Sequence, residues 1–240
     1  LAKEALELKF QKLPVEGMKP GQAREDAQAE VEAYEAKLEL MQKSLAADTK
    51  LKPEQKAKYQ AATDSVLRAM PEAAQQRVAK HLKQVSLFAT SQELTADLAA
   101  KHANDPKWKS YQDRGALAFG SFTPGSGTWR ADGLVPHEDE MSGKRANVHE
   151  TYAHELTHAI DGPKLELSRS KEWQMAYDAE LRGGNLSDYA KKSATEGLAE
   201  FGRILYAGVA DEETLNQFFP RCSKFFQDNG LMYHKIAEAK

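Results

Sequence analysis

The chain has 240 residues, 41% apolar and 29% charged, a mix that fills an ordinary globular core. A formal net charge of -3 is too small to argue for nucleic acid or an anionic membrane as partner. The single cysteine, Cys222, excludes an intramolecular disulfide and a cysteine-rich zinc site, and no apolar run approaches the length of a membrane span.

The first fifty residues are rich in Ala, Glu, Lys, Gln and Leu. Leu6, Phe10 and Leu13 fall on one helical stripe, and Val31, Tyr34, Leu38, Met41 and Leu45 on another, with a Pro/Gly break between them. Residues 1–50 therefore read as an N-terminal helical hairpin, an extension to a domain of residues 51–240. The opening LAKEALELKF lacks the apolar core of a signal peptide. Pro53 and Pro71 suit first helical positions and predict helices over 53–69 and 71–83. VSLFAT (85–90) is apolar and β-branched, a strand candidate, and TSQELTADLAAKH (90–102) a capped helix. ALAFGSF (116–122) and GTWRADGLV (127–135) flank the turn TPGSG and read as a hairpin. Everything after Asn147 looks helical. The expected class is α+β, mostly helical with a small mixed β-sheet. Cys222, beside Arg221 and near Phe225, reads as a packing residue, since no paired base stands near it in the sequence.

The chemistry concentrates in HETYAHELTH (149–158), which contains His-Glu twice. His149-Glu150 has Ala153 where a second ligand is needed. His154-Glu155-Leu156-Thr157-His158 succeeds: residues i and i+4 share a helix face, so both imidazoles can reach one ion. Glu155 is turned about 100° from His154. It is poorly placed as a ligand and well placed as a general base toward a water on that ion. Tyr152, Leu156, Ala159 and Ile160 cluster on the opposite, buried side, and Gly162-Pro163 stops the helix. Asp161 shares the face of His158. It reads equally as a partner of a ligand histidine or as a solvated carboxylate or C-terminal turn residue.

Zinc hydrolases of this type need a third protein ligand. Glu166, Glu172, Glu180, Glu196 and Glu200 lie downstream. Glu196 and Glu200, at i, i+4, open an amphipathic helix with Leu198, Phe201, Leu205 and Tyr206. By spacing alone Glu196 has a second reading. Ser193-Ala194-Thr195-Glu196 is a capping box, in which its carboxylate would bond the N–H of Ser193.

HELTHAID, Tyr189 and Glu196-Gly-Leu-Ala-Glu200-Phe together resemble the anthrax lethal factor and Pro-Pro endopeptidase group of zinc metallopeptidases, over about Pro71 to Phe226. The resemblance implies a zincin-like domain with one zinc per chain on His154, His158 and Glu196. It implies a zinc-dependent endopeptidase in which a zinc-activated water attacks a peptide carbonyl. Glu155 would take the water's proton, and Tyr189 would donate its hydroxyl to the developing oxyanion. Glu200 would orient a ligand histidine, or stand as a plain surface carboxylate. A peptide or protein substrate is expected to bind extended along an edge strand near 127–135, where Arg130 and Asp132 alternate. Trp129 could wall a pocket or pack in the core, and His137 could line the cleft or a loop. Leu156 and Thr157 replace the Phe-Gly often found in the group's motif, which leaves the subgroup open, and no residue selects a cleavage specificity. The compartment is not readable from the residues, but the group is largely exported. The competing readings are a catalytically inactive zincin-like interaction module, and a metal-dependent hydrolase of another bond.

Overall fold

The computed structural model describes residues 32, 51–87, 96, 99, 100, 120–124, 129–134, 148–162 and 164–233. The helical hairpin expected over residues 1–50 lies outside these, as do most of the helix expected at 90–102 and His137. The side chain of Trp129 is likewise not described.

The body is helical, with seven α-helices among the described residues. They are α1 (Pro53–Ala69), α2 (Glu72–His81), α3 (Val148–Asp161), α4 (Lys171–Glu180), α5 (Ala194–Tyr206), α6 (Glu212–Phe218) and α7 (Pro220–Asp228). Three short segments pair through their backbones in the order β1-β3-β2: β1 (Leu82–Leu87), β2 (Gly120–Pro124) and β3 (Trp129–Leu134). β2 and β3 run antiparallel, with Phe122 opposite Ala131, and β1 and β3 run parallel, with Leu82 opposite Trp129.

This order corrects one expectation. The segment near 127–135 is not an edge: β3 is the central strand, bonded on both sides. Alternating Arg130 and Asp132 resemble an edge pattern locally, but the parallel partner β1 comes from far upstream, and no local pattern shows it. The free edges among the described strands belong to β1 and β2. The helix expected over 71–83 also ends earlier, at His81, where the chain passes straight into β1.

Helix ends follow from the residues found there. α1 opens on Pro53, with Glu54 in its first turn and Arg68 in its last, matching the helix dipole. Ser170, Ser193 and Asp211 cap α4, α5 and α6, each side-chain oxygen accepting a backbone N–H. The N-terminus of α7 is capped from another helix, as Glu180 of α4 accepts the N–H groups of Arg221 (2.9 Å) and Cys222 (3.0 Å). Burial and this carboxylate push the Cys222 thiol far up, consistent with a packing residue and not a nucleophile.

α3 is the centre of the molecule. It packs most extensively on α5 and also on α1, α2, β2 and β3. Its apolar face, Tyr152, Leu156, Ala159 and Ile160, is buried as the periodicity requires. Two of its C-terminal carbonyls meet side chains of α2. Arg77 donates to the Ile160 carbonyl, and Nδ1 of His81 lies 2.9 Å from that of Ala159. Gly162 ends the helix at φ 79, with its would-be Cβ against the His81 ring, so only glycine fits. Behind α5, Trp173, Phe201, Phe225 and Phe226 form an aromatic cluster, with the Phe201 and Phe226 rings 4.7 Å apart. Trp173 Nε1 donates to the Ala194 carbonyl at 2.8 Å, which ties α4 to the start of α5.

The close approach of α3 and α5 depends on one glycine. A Cβ on Gly202 would stand 2.1 Å from Oγ1 of buried Thr157, which is itself held on the Ala153 carbonyl. Gly202→Ala is expected to destabilise the fold by about 1–3 kcal/mol through overpacking, read as a lower midpoint in thermal or urea unfolding. An unchanged midpoint would mean that the helices are free to separate.

No helix among the described residues is long and apolar enough to cross a membrane.

Candidate metal centre

α3 and α5 bring the sequence-selected residues together. The HELTH stretch lies wholly within α3, and Glu196 lies in the first turn of α5. Oε2 of Glu196 is 3.4 Å from Nε2 of His154 and 3.5 Å from Nε2 of His158. The three donor atoms lie within 4.8 Å of one another. The side chains are 12%, 10% and 26% exposed, so the group is sheltered but open on one side.

The capping-box alternative can be compared directly. Ser193 Oγ accepts the Glu196 N–H at 3.1 Å, so the serine half of the box forms. The Glu196 carboxylate faces the imidazoles, and its Oε2 is buried without a hydrogen-bond partner. An unpartnered buried carboxylate oxygen is costly unless something positive meets it. Two ligand atoms about 2.0–2.2 Å from one tetrahedral ion stand roughly 3.3–3.6 Å apart. The spacing of Glu196 from both histidines fits that figure. These residues can therefore hold a metal ion, and the group has the composition of an HExxH…E site.

Glu200 holds the site from behind. It is 5% exposed, and its Oε1 lies 2.9 Å from Nδ1 of His154. A carboxylate there favours the N–H on Nδ1, so Nε2, on the side facing Glu196, is the nitrogen that would ligate a metal in the neutral imidazole. Glu200 is itself gripped by Arg203, which donates from Nε to Oε1 (2.9 Å) and from Nη2 to Oε2 (3.1 Å). Ser187 donates its hydroxyl to Oε2 at 2.6 Å. Arg203 also pairs with Glu150 at the start of α3. The first His-Glu pair of the sequence thus contributes its glutamate to this network and not to the metal group. The sequence reading missed Ser187, Arg203 and Glu150. Only Arg203 had a local signal, three residues after Glu200 on one helix face.

The electrostatics favour positive charge at this point. Burial disfavours a charged His154, but Glu196, Glu200 and Glu155 outweigh it and raise its pKa to about 10. Burial also works against the Glu200 carboxylate, yet His154, Ser187 and Arg203 bring it down to about 2. Glu196 is held well below the usual carboxylate range by the two histidines, against its own burial.

The other candidates fall as follows. Glu155 is buried and near enough to His154 to favour its charged form. Tyr189 is 43% exposed, its ring 5.6 Å from that of His154, with Lys192 Nζ 3.6 Å above it. Asp161 is fully buried, and its Oδ1 accepts the N–H groups of Leu167 and Ser168 at 2.9 and 2.8 Å. Its hydrogen bonds fix the turn after α3, the turn-residue role that the spacing also allowed. Glu166 is exposed and lies 4.0 Å from Arg77, Glu172 sits in the first turn of α4, and Glu180 caps α7. None of these three joins the metal group.

Comparison with protein-family models, curated proteins and solved structures finds no match.

Glu200→Gln is expected to weaken metal binding about 10–100-fold, the usual effect of losing the carboxylate behind a ligand histidine. Competition with a chromophoric chelator measures it. Wild-type affinity in the variant would mean that Glu200 only braces α5.

Proposed function

We propose that the chain is a zinc-dependent endopeptidase whose zinc is held by His154, His158 and Glu196. The observation that carries this reading is the convergence of both Nε2 atoms on the unpartnered Oε2 of Glu196, at the spacing of one small tetrahedral coordination sphere. Two imidazoles and one carboxylate suit zinc among the common metals. Three protein ligands leave a fourth position open, the mark of a catalytic zinc site and not a structural one. The zincin-like character of the domain rests on the same residues and on the resemblance of HELTHAID, Tyr189 and Glu196-Gly-Leu-Ala-Glu200-Phe to the lethal factor and Pro-Pro endopeptidase group.

Zinc supplies Lewis acidity, lowering the pKa of a water and polarising a carbonyl. The residues of the chain supply the remainder. Glu155 follows His154 on α3 and takes the proton of the attacking water, then passes it to the leaving amine. Tyr189, at the open side next to His154, donates its phenol O–H to the carbonyl oxygen as charge develops there. Glu200, clamped by Arg203 and Ser187, keeps the His154 tautomer fixed throughout the cycle. An extended peptide requires a strand edge. β2, which lies at an edge among the described strands and packs beside α3, takes the part expected earlier of the 127–135 segment.

The test is cleavage of a mixed peptide library by the purified chain, with and without a chelator. Peptide-bond cleavage that stops with chelator and returns with zinc supports the reading. Zinc uptake with no cleavage of any peptide would favour an inactive interaction module or a hydrolase of another bond.

A further inference from the structure

We infer that Ser187 is a positioning residue, which couples the metal group to the turn that carries Tyr189. The inference rests on the zinc peptidase reading. Tyr189 lies outside α5, on the short link between Ser187 and the 3-10 turn Ala190–Lys192, and its side chain is largely exposed. Its neighbours in the chain are tied down. The Ser187 hydroxyl is used twice. It donates to Oε2 of Glu200 at 2.6 Å and accepts the N–H of Ala190 at 2.9 Å. Ala190 is fully buried and makes a firm anchor. The other oxygen of Glu200 meets His154 Nδ1.

One carboxylate therefore serves both halves of the chemistry. Through Oε1 it sets the imidazole that faces Glu196. Through Oε2 and Ser187 it sets the backbone on either side of Tyr189. Fixing His154 by a metal restrains Glu200, and a restrained Glu200 holds Ser187 and the Ala190 amide. The phenol is then placed relative to the metal group itself, which an exposed side chain on a free loop could not achieve. Arg203 restrains Glu200 in the plane of its carboxylate, so the coupling has a stiff pivot.

Hydrogen–deuterium exchange of the Ala190 amide tests this on the full chain, dialysed against chelator and then loaded with zinc. In the wild type, zinc is expected to slow exchange at Ala190. In Ser187→Ala that amide is expected to exchange about fivefold faster, the loss of one ordinary hydrogen bond. Added zinc is expected to leave it unchanged there. Ser187→Thr keeps the hydroxyl and is expected to behave as the wild type. Turnover gives a second readout. Ser187→Ala should lower kcat about 10–100-fold at unchanged KM, with zinc affinity reduced by no more than the factor by which zinc slows Ala190 exchange in the wild type. In a Tyr189→Phe background it should lower kcat no further, because the phenol it places is already gone. Zinc uptake without any effect on Ala190 exchange, or an equal loss of kcat in both backgrounds, overturns the coupling and leaves the peptidase reading standing. No zinc uptake by the wild type overturns both. Should Ser187→Ala not fold, the wild-type comparison with and without zinc decides alone.

Discussion

Glu196→Ala is expected to abolish stable zinc binding, with affinity falling by more than about 100-fold. That figure is the upper range for groups one step removed from a metal, and Glu196 supplies a donor atom directly. Two histidines on α3 remain, too few to hold zinc against water and buffer. The fold is expected to survive. The Ser193 hydroxyl still caps the Glu196 backbone N–H in the variant, and alanine is a good helix former at that position. Metal analysis and thermal unfolding of the same sample separate the two readings of this residue. Zinc at wild-type stoichiometry together with a lowered unfolding midpoint would mean that Glu196 serves the helix end and not the metal.

Glu155→Gln is expected to keep zinc and lose turnover. Its removal should lower kcat by about 10²–10⁴-fold, the usual worth of a placed general base. Glutamine keeps the size of the side chain and its place on α3 but accepts no proton near neutral pH. Metal content should stay at the wild-type level, because the neighbouring histidines and Glu196 are untouched. Near-normal cleavage in the variant would remove Glu155 from the mechanism, and loss of metal would make it part of the metal group.

The metal group was legible in the sequence because helical geometry turns a spacing into a position. His154 and His158 at i, i+4 share a face of any α-helix, and Tyr152, Leu156, Ala159 and Ile160 around them marked which face was buried. Glu196 was one of several glutamates, and spacing alone also allowed a capping box. Only the packing of α5 on α3, through Gly202 against Thr157, sends its carboxylate toward the imidazoles. The support behind the site was less legible. Ser187 reaches Glu200 from a loop, and Glu150 reaches Arg203 across two helices, so neither contact has a sequence period to betray it. Asp161 was open between a histidine partner and a turn residue, and its carboxylate takes the turn role on the Leu167 and Ser168 amides. The edge position expected of 127–135 failed for a similar reason. A hairpin can be read from its turn residues, whereas the parallel partner of β3 arrives from a distant segment.

The most direct test is the zinc content of protein purified without chelator, by plasma mass spectrometry. About one zinc per chain, lost in Glu196→Ala and kept in Glu155→Gln, is the expected result. A chain that takes up no zinc, even after zinc is added back at neutral pH, would contradict the account and leave HELTH as a helix with two buried histidines.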